Sequence, residues 1–94
     1  MNGQQLQSKI IKYIIACGGY AINIITASKD GVHDIIGCID GHFFSFEAKG
    51  DNDRPSDVQN ENREMVIAAG GTAAIVYSVE EVAAIIKEYR DSLQ

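Results

Sequence analysis

The dipeptide Asp40-Gly41 constrains this chain more than any other feature. It stands between two runs rich in β-branched and aromatic residues, 32–39 and 42–49. A two-residue type I′ turn needs φ > 0 at both central positions, which Asp-Gly meets. The pairing follows from the turn: Ile39 faces His42, and Asp34 faces Glu47. Side chains alternate along a strand, so Lys49 shares the Glu47 face. Directly opposed Cβ atoms lie roughly 4.5–5.5 Å apart, and like charges there repel. With an effective dielectric near 20, that repulsion is on the order of 3 kcal/mol. Two readings are open. A divalent cation relieves the pair, or the carboxylates belong to a solvated strand end with an ordinary Glu-Lys neighbour. The other face of the hairpin carries Ile35, Ile39, Phe44 and Phe46 and is the core candidate. The carboxylate face also holds Ile36, Cys38 and Phe43, so it is expected to be covered near the turn and open near Asp34.

The remaining elements fall into place around the hairpin. Residues 4–17 have helical periodicity, with Leu6, Ile10, Tyr13, Ile14 and Cys17 on one stripe that Ile11 and Ile15 widen. A stripe so broad suggests cover on two sides, the sheet and a partner subunit. Gly18-Gly19 stops this helix. Residues 20–26, YAINIIT, form a first strand. Residues 50–55, GDNDRP, are a loop by their turn chemistry. Ser56 is an N-cap with Gln59 at the capping-box position. The helix it opens, 56–69, has Val58, Met65, Val66 and Ala69 on its apolar stripe. Residues 72–77 are a short buried strand. Ser78 caps a last helix that buries Val82, Ile85, Ile86 and Tyr89. A helix between two neighbouring strands makes them parallel. The expectation is an α/β fold on the α+β borderline, of order αβββαβα. A mixed four-stranded sheet is flanked by helices in three layers, in a single domain spanning 1–94.

Composition narrows the function. The net charge of −5 argues against a general nucleic-acid coat protein. Lys9, Lys12, Lys29, Lys49 and Arg54 nonetheless allow a local basic rim. No run is long and apolar enough for a membrane span, and the polar start shows no signal peptide, so a cytoplasmic protein is expected. Cys17 and Cys38 stand alone, without CxxC or nearby histidine ligands, and read as reduced, largely buried thiols.

Hard cations such as Mg²⁺ or Mn²⁺ take carboxylate oxygens and keep several waters. Asp34 and Glu47 suit that coordination, and the backbone carbonyl of Ala48 offers a third oxygen. A metal there polarises a phosphoryl oxygen and acidifies an attacking water. Lys49 supplies a point charge for that water or for charge developing on phosphorus.

The run GVHD, the tripeptide EAK, the loop GDNDRPS and the following Gln59 resemble the VRR-NUC domain. That is the virus-type replication-repair nuclease branch of the PD-(D/E)XK restriction-endonuclease-like superfamily. The resemblance spans nearly the whole chain, and stand-alone copies of this size resemble those of phages, which would place the protein in the host cytoplasm. It implies a restriction-endonuclease-like fold and Mg²⁺- or Mn²⁺-dependent DNA cleavage. Branched DNA such as Holliday junctions or flaps is the implied substrate, cut by a homodimer. Carried over by position, Asp34 and Glu47 are metal carboxylates, Ala48 lends its carbonyl, Lys49 is the catalytic lysine, and Gln59 stands near the active site. Lys29 is implied as a DNA phosphate contact, and Arg54 and His33 are further DNA-contact candidates. His33 replaces the family's usual proline, and as a strand-end residue it is expected at the surface. The first helix lacks the family's acidic residue. Its place is taken by Gln7, which can meet a metal only through a bound water. The alternative is a DNA-structure-binding module weakened in catalysis by that loss.

Overall fold

The computed structural model describes residues 1–93. Helix α1 (Gly3–Ala16) begins at a reciprocal capping box between Asn2 and Gln5. Strands β1 (Tyr20–Asn23), β2 (Ile35–Ile39) and β3 (His42–Ala48) follow. Helix α2 (Asp57–Ala68) then leads to strand β4 (Thr72–Val76) and helix α3 (Val79–Asp91). The element order is the expected one, and the sheet runs β1-β2-β3-β4. Its first two pairings are antiparallel and the last, β3 with β4, is parallel.

The turn that organises the chain has the expected geometry, with φ of 53° at Asp40 and 79° at Gly41. Ile39 pairs with His42 and Ile35 with Phe46. Ile35, Ile39, Phe44 and Phe46 are buried under Leu6, Ile10 and Ile14 of α1 and Val82 and Ile86 of α3. At the turn end His42 stacks on Tyr89, with ring centroids 4.0 Å apart, and its Nε2 meets Thr72 Oγ1 at 2.8 Å. Arg90 reaches from α3 to Asp40 at 2.8 Å and ties the last helix to the hairpin tip.

Three sequence expectations need correction. The ladder of β1 ends at Asn23, not at residue 26, and Ile25 is almost fully exposed. The backbone bends at Asp34, so β2 starts only at Ile35, and beyond the Ile24 N–H to Asp34 carbonyl bond β1 has nothing to pair with. Secondly, α2 does not bury its apolar stripe. Val58, Met65 and Ala69 are exposed, whereas Gln59, Asn62, Arg63 and Val66 are half-buried. That second set lies roughly a quarter turn away around the helix. Among the described helices and strands α2 packs only on β4 and β3, with Val66 against Gly71, and so covers only half of its side of the sheet. Thirdly, Cys38 is exposed. It sits on β2, on the side of the sheet that α2 leaves uncovered.

Candidate active site

The site is built at the end of the sheet where β3 leaves its pairing with β2. Glu47 is the next-to-last residue of β3, pairs with Ile75 of β4, and is only 2 % exposed. Its Oε2 lies 3.3 Å from Lys49 Nζ, and the lysine side chain is itself largely buried. The other oxygen, Oε1, is buried and has no hydrogen-bond partner among the described residues. Burial is the main force on this carboxyl, since it disfavours the charged form. The neighbouring Asp34 carboxylate pushes the same way, and Lys49 opposes them. The net result raises the Glu47 pKa from 4.5 to about 7. Asp34, one step beyond the Ile35–Phe46 pair, thus lies close enough to Glu47 for its charge to act on that carboxyl. Asp34 itself is half-buried at the bend before β2, and its carbonyl accepts from Ile24 N–H at 2.6 Å.

A buried carboxylate beside a second carboxylate is a costly arrangement unless a proton or a cation neutralises it. The oxygen donors fit a hard divalent ion that keeps much of its water. Ala48 offers a further oxygen close to the start of α1, where a Cβ on Gly3 would lie 3.4 Å from it. No third histidine, cysteine or acidic side chain joins the pair among the described residues. Gln7 does not point to a free water site, because its Oε1 accepts from Asn23 Nδ2 at 2.6 Å. That bond ties α1 to β1 at the edge of the site.

His33 overturns the expectation of a surface residue and of a DNA contact. It is fully buried. Its Nε2 donates to the Gln59 carbonyl at 2.9 Å, and Ser45 Oγ donates to its Nδ1 at 2.6 Å. Ser45 lies two residues before Glu47 on the same face of β3. The bend at Asp34 lets the ring cross to that face, where strict alternation would have pointed it the other way. His33 therefore locks the Asp34 segment to β3 and to the first turn of α2. Gln59 completes the lock. Its Oε1 accepts from Ser56 N–H at 2.9 Å and its own N–H donates to Ser56 Oγ at 3.2 Å, so the capping box is real. That leaves the Gln59 amide nitrogen for other contacts.

The basic candidates lie further out. Lys29 is exposed and its Nζ rests against Met65 Sδ of α2 at 3.3 Å. Arg54 is exposed on the loop between β3 and α2. Two residues escape the sequence reading. Ser45 has no signal until the bend at Asp34 is known. Tyr77 needs the parallel register: Glu47 pairs with Ile75 and Ala48 with Val76, and Lys49 N–H donates to Val76 O at 2.9 Å. Tyr77 therefore follows on beside Lys49.

A mixed four-stranded sheet between helices, with a carboxylate pair and a lysine where β2 and β3 separate, defines the restriction-endonuclease-like class of fold. Within that class the chain has the fold of VRR_NUC domains. One solved VRR_NUC domain superposes with a TM-score of 0.78 at 21% identity, over 93% of this chain and 96% of that one. A second VRR_NUC domain protein gives 0.73 at 17% identity, over 95% and 88%. Hjc, a Holliday junction resolvase from the archaeal hyperthermophile Archaeoglobus fulgidus, gives 0.63 at 16% identity, over 81% and 68%. No family model matches the sequence. No curated protein matches it either.

Proposed function

We propose that this chain is a Mg²⁺- or Mn²⁺-dependent DNA endonuclease that hydrolyses phosphodiester bonds, selects branched DNA and works as a homodimer. The observation that carries the reading is Glu47, buried beside Asp34 with Oε1 unpartnered and Lys49 at 3.3 Å from Oε2. Asp34, Glu47 and the Ala48 carbonyl would hold the cation, which supplies Lewis acidity toward a phosphoryl oxygen. Lys49 holds a positive charge where it can orient the attacking water and offset charge gathering on phosphorus. Glu47 releases its proton near neutral pH, so the site is ready for a cation in the range where hydrolysis is wanted. His33 and Gln59 keep the two carboxylate-bearing segments in register. Lys29, which rests against Met65 late in α2, and Arg54, on the loop before α2, are the phosphate contacts this reading retains. The likeness to Hjc, a Holliday junction resolvase, makes four-way junctions a first substrate to try.

No helix is long and apolar enough to cross a membrane. The dimer is supported by the uncovered side of β1 and β2, where Tyr20, Cys38 and Phe43 are exposed in one row across three strands.

The test is cleavage of single-stranded, duplex, flap and four-way-junction DNA with Mg²⁺ and with Mn²⁺. Wild-type protein is expected to cut at least one branched substrate. Glu47→Ala and Lys49→Ala are each expected to reduce cutting by about a thousandfold or more, as loss of a charge-stabilising group does. Wild-type cleavage by either folded variant would sink the role assignment. A second reading, a binder without catalysis, is favoured by one observation: the engaged Gln7 adds no third charge to the pair. It predicts junction binding that EDTA leaves unchanged, and no nicking in either metal.

A further inference from the structure

Tyr77 is the first residue after β4, and it is held at both ends. Its N–H donates to Glu81 Oε2 at 2.6 Å, and its hydroxyl donates to the Asp53 carbonyl at 2.9 Å. The residue is 40 % exposed. It takes no part in the aromatic cluster of His42, Phe44, Phe46 and Tyr89. Lys49 N–H donates to the Val76 carbonyl at 2.9 Å, so the Tyr77 backbone follows on beside Lys49 where β4 ends. Adjacent strands run about 4.8 Å apart, which makes Tyr77 the immediate neighbour of Lys49.

The loop between β3 and α2 forms the other wall. Asn52 turns it with φ of 69°, and Asp53 N–H returns to the Gly50 carbonyl at 3.1 Å. Asp53 directs its carboxylate back over Gly50, so that a Cβ there would be 3.1 Å from Oδ2. Arg54 has no ion-pair partner among the described residues. Asn52, Asp53, Arg54 and Tyr77 enclose an open concavity of about 350 Å³.

A rigid aromatic face, an unpaired guanidinium and an amide near Lys49, the lysine that the nuclease reading employs, match the parts of a nucleotide. The aromatic face takes a base by stacking, and the guanidinium takes its phosphate. A base inside a duplex is already stacked on both sides and cannot offer a face to Tyr77. We propose that Tyr77 and Arg54 form a subsite for an unpaired nucleotide next to the scissile phosphate, with the base on the Tyr77 ring and the phosphate on Arg54. This rests on the nuclease reading above and sharpens it: the preferred branched substrate carries a single-stranded segment at the cut, as a flap does.

The test uses a flap DNA carrying 2-aminopurine at its first unpaired nucleotide, and a fully paired duplex of the same length, both with Ca²⁺. Wild type and Tyr77→Phe are expected to quench the 2-aminopurine, because both keep the stacking face. Tyr77→Leu keeps apolar bulk without that face. It is expected to bind the flap about tenfold more weakly, without quenching, and to bind the duplex within about twofold of wild type. Arg54→Gln is expected to weaken flap binding more than duplex binding. If Tyr77→Leu does not fold by circular dichroism, Arg54→Gln and Tyr77→Phe decide the matter. Quenching and affinity unchanged in Tyr77→Leu, or an equal loss on both DNAs in either variant, overturns the subsite. Cleavage by the same wild-type preparation with Mn²⁺ is read in parallel. If wild type cuts no DNA, the nuclease reading fails; if it cuts and the variants behave alike on flap and duplex, only the subsite does.

Discussion

Glu47 carries two opposing demands. As part of the fold it is buried on β3, where charge is unwelcome, and in the proposed metal site it would have to be an anion. Its pKa, raised to about 7 by burial first and Asp34 second, records that conflict. The sign of the stability effect follows from linkage. Between the ordinary value of 4.5 and about 7 the folded chain binds more protons than the unfolded one. Raising the pH through that window therefore removes stability. Glu47→Gln removes the titration and keeps the shape. In EDTA at pH 8 the variant is expected to be more stable than wild type by on the order of 2 kcal/mol, and the difference should vanish near pH 4.5. Mn²⁺ should reverse the order, raising the wild-type Tm more at pH 8 than at pH 5.5, because cation and proton compete for the same oxygens. Urea melts across pH with and without Mn²⁺ check both halves. A Glu47→Gln variant less stable than wild type at pH 8 in EDTA would refute the assigned cause.

At the scale of elements, the hairpin was readable because two independent signals agreed. Asp40-Gly41 set the register, and the alternation of Ile35, Ile39, Phe44 and Phe46 set the buried face. His33 was not readable, since the bend at Asp34 breaks the period on which its placement depended. Helix α2 failed for a different reason. Periodicity tells which residues share a stripe but not which stripe meets the sheet. Here the sheet-facing stripe is Gln59, Asn62, Arg63 and Val66, because the helix is anchored by the His33 bond to Gln59 and by the approach of Gly31 to Val58. Gly31 has φ of 82°, and a Cβ on it would collide with the Val58 carbonyl. Tertiary anchoring thus outweighs the apolar pattern. Gly31→Ala should displace α2 from the segment carrying Asp34. A destabilisation of about 3 kcal/mol is expected from the left-handed backbone and the collision together. Denaturant unfolding measures it, and a loss below about 1 kcal/mol would mean that Gly31 is not an anchor.

For the molecule as a whole, the unequal cover of the sheet is what remains to be explained. One side is closed by α1 and α3, whereas α2 closes only the β3 and β4 half of the other. Tyr20 is 62 % and Phe43 42 % exposed, and the row they form through Cys38 continues beside Ile22. A row of exposed large apolar side chains of this kind marks an interaction face. A second copy is the occupant that also serves the proposed chemistry. An isologous pair would set two sites against two strands of a junction, and one site alone can cut only one strand at a time. Phe43→Asp sets a charge in the centre of the row and lies outside the Asp34, Glu47 and Lys49 site. Wild type is expected to sediment as a dimer and Phe43→Asp as a folded monomer. The monomer should lose paired junction incisions by on the order of tenfold or more while still nicking single strands. If Phe43→Asp remains dimeric, the pairing face lies elsewhere. If it is monomeric and resolves junctions at the wild-type rate, one copy suffices and the dimer has no part in the chemistry.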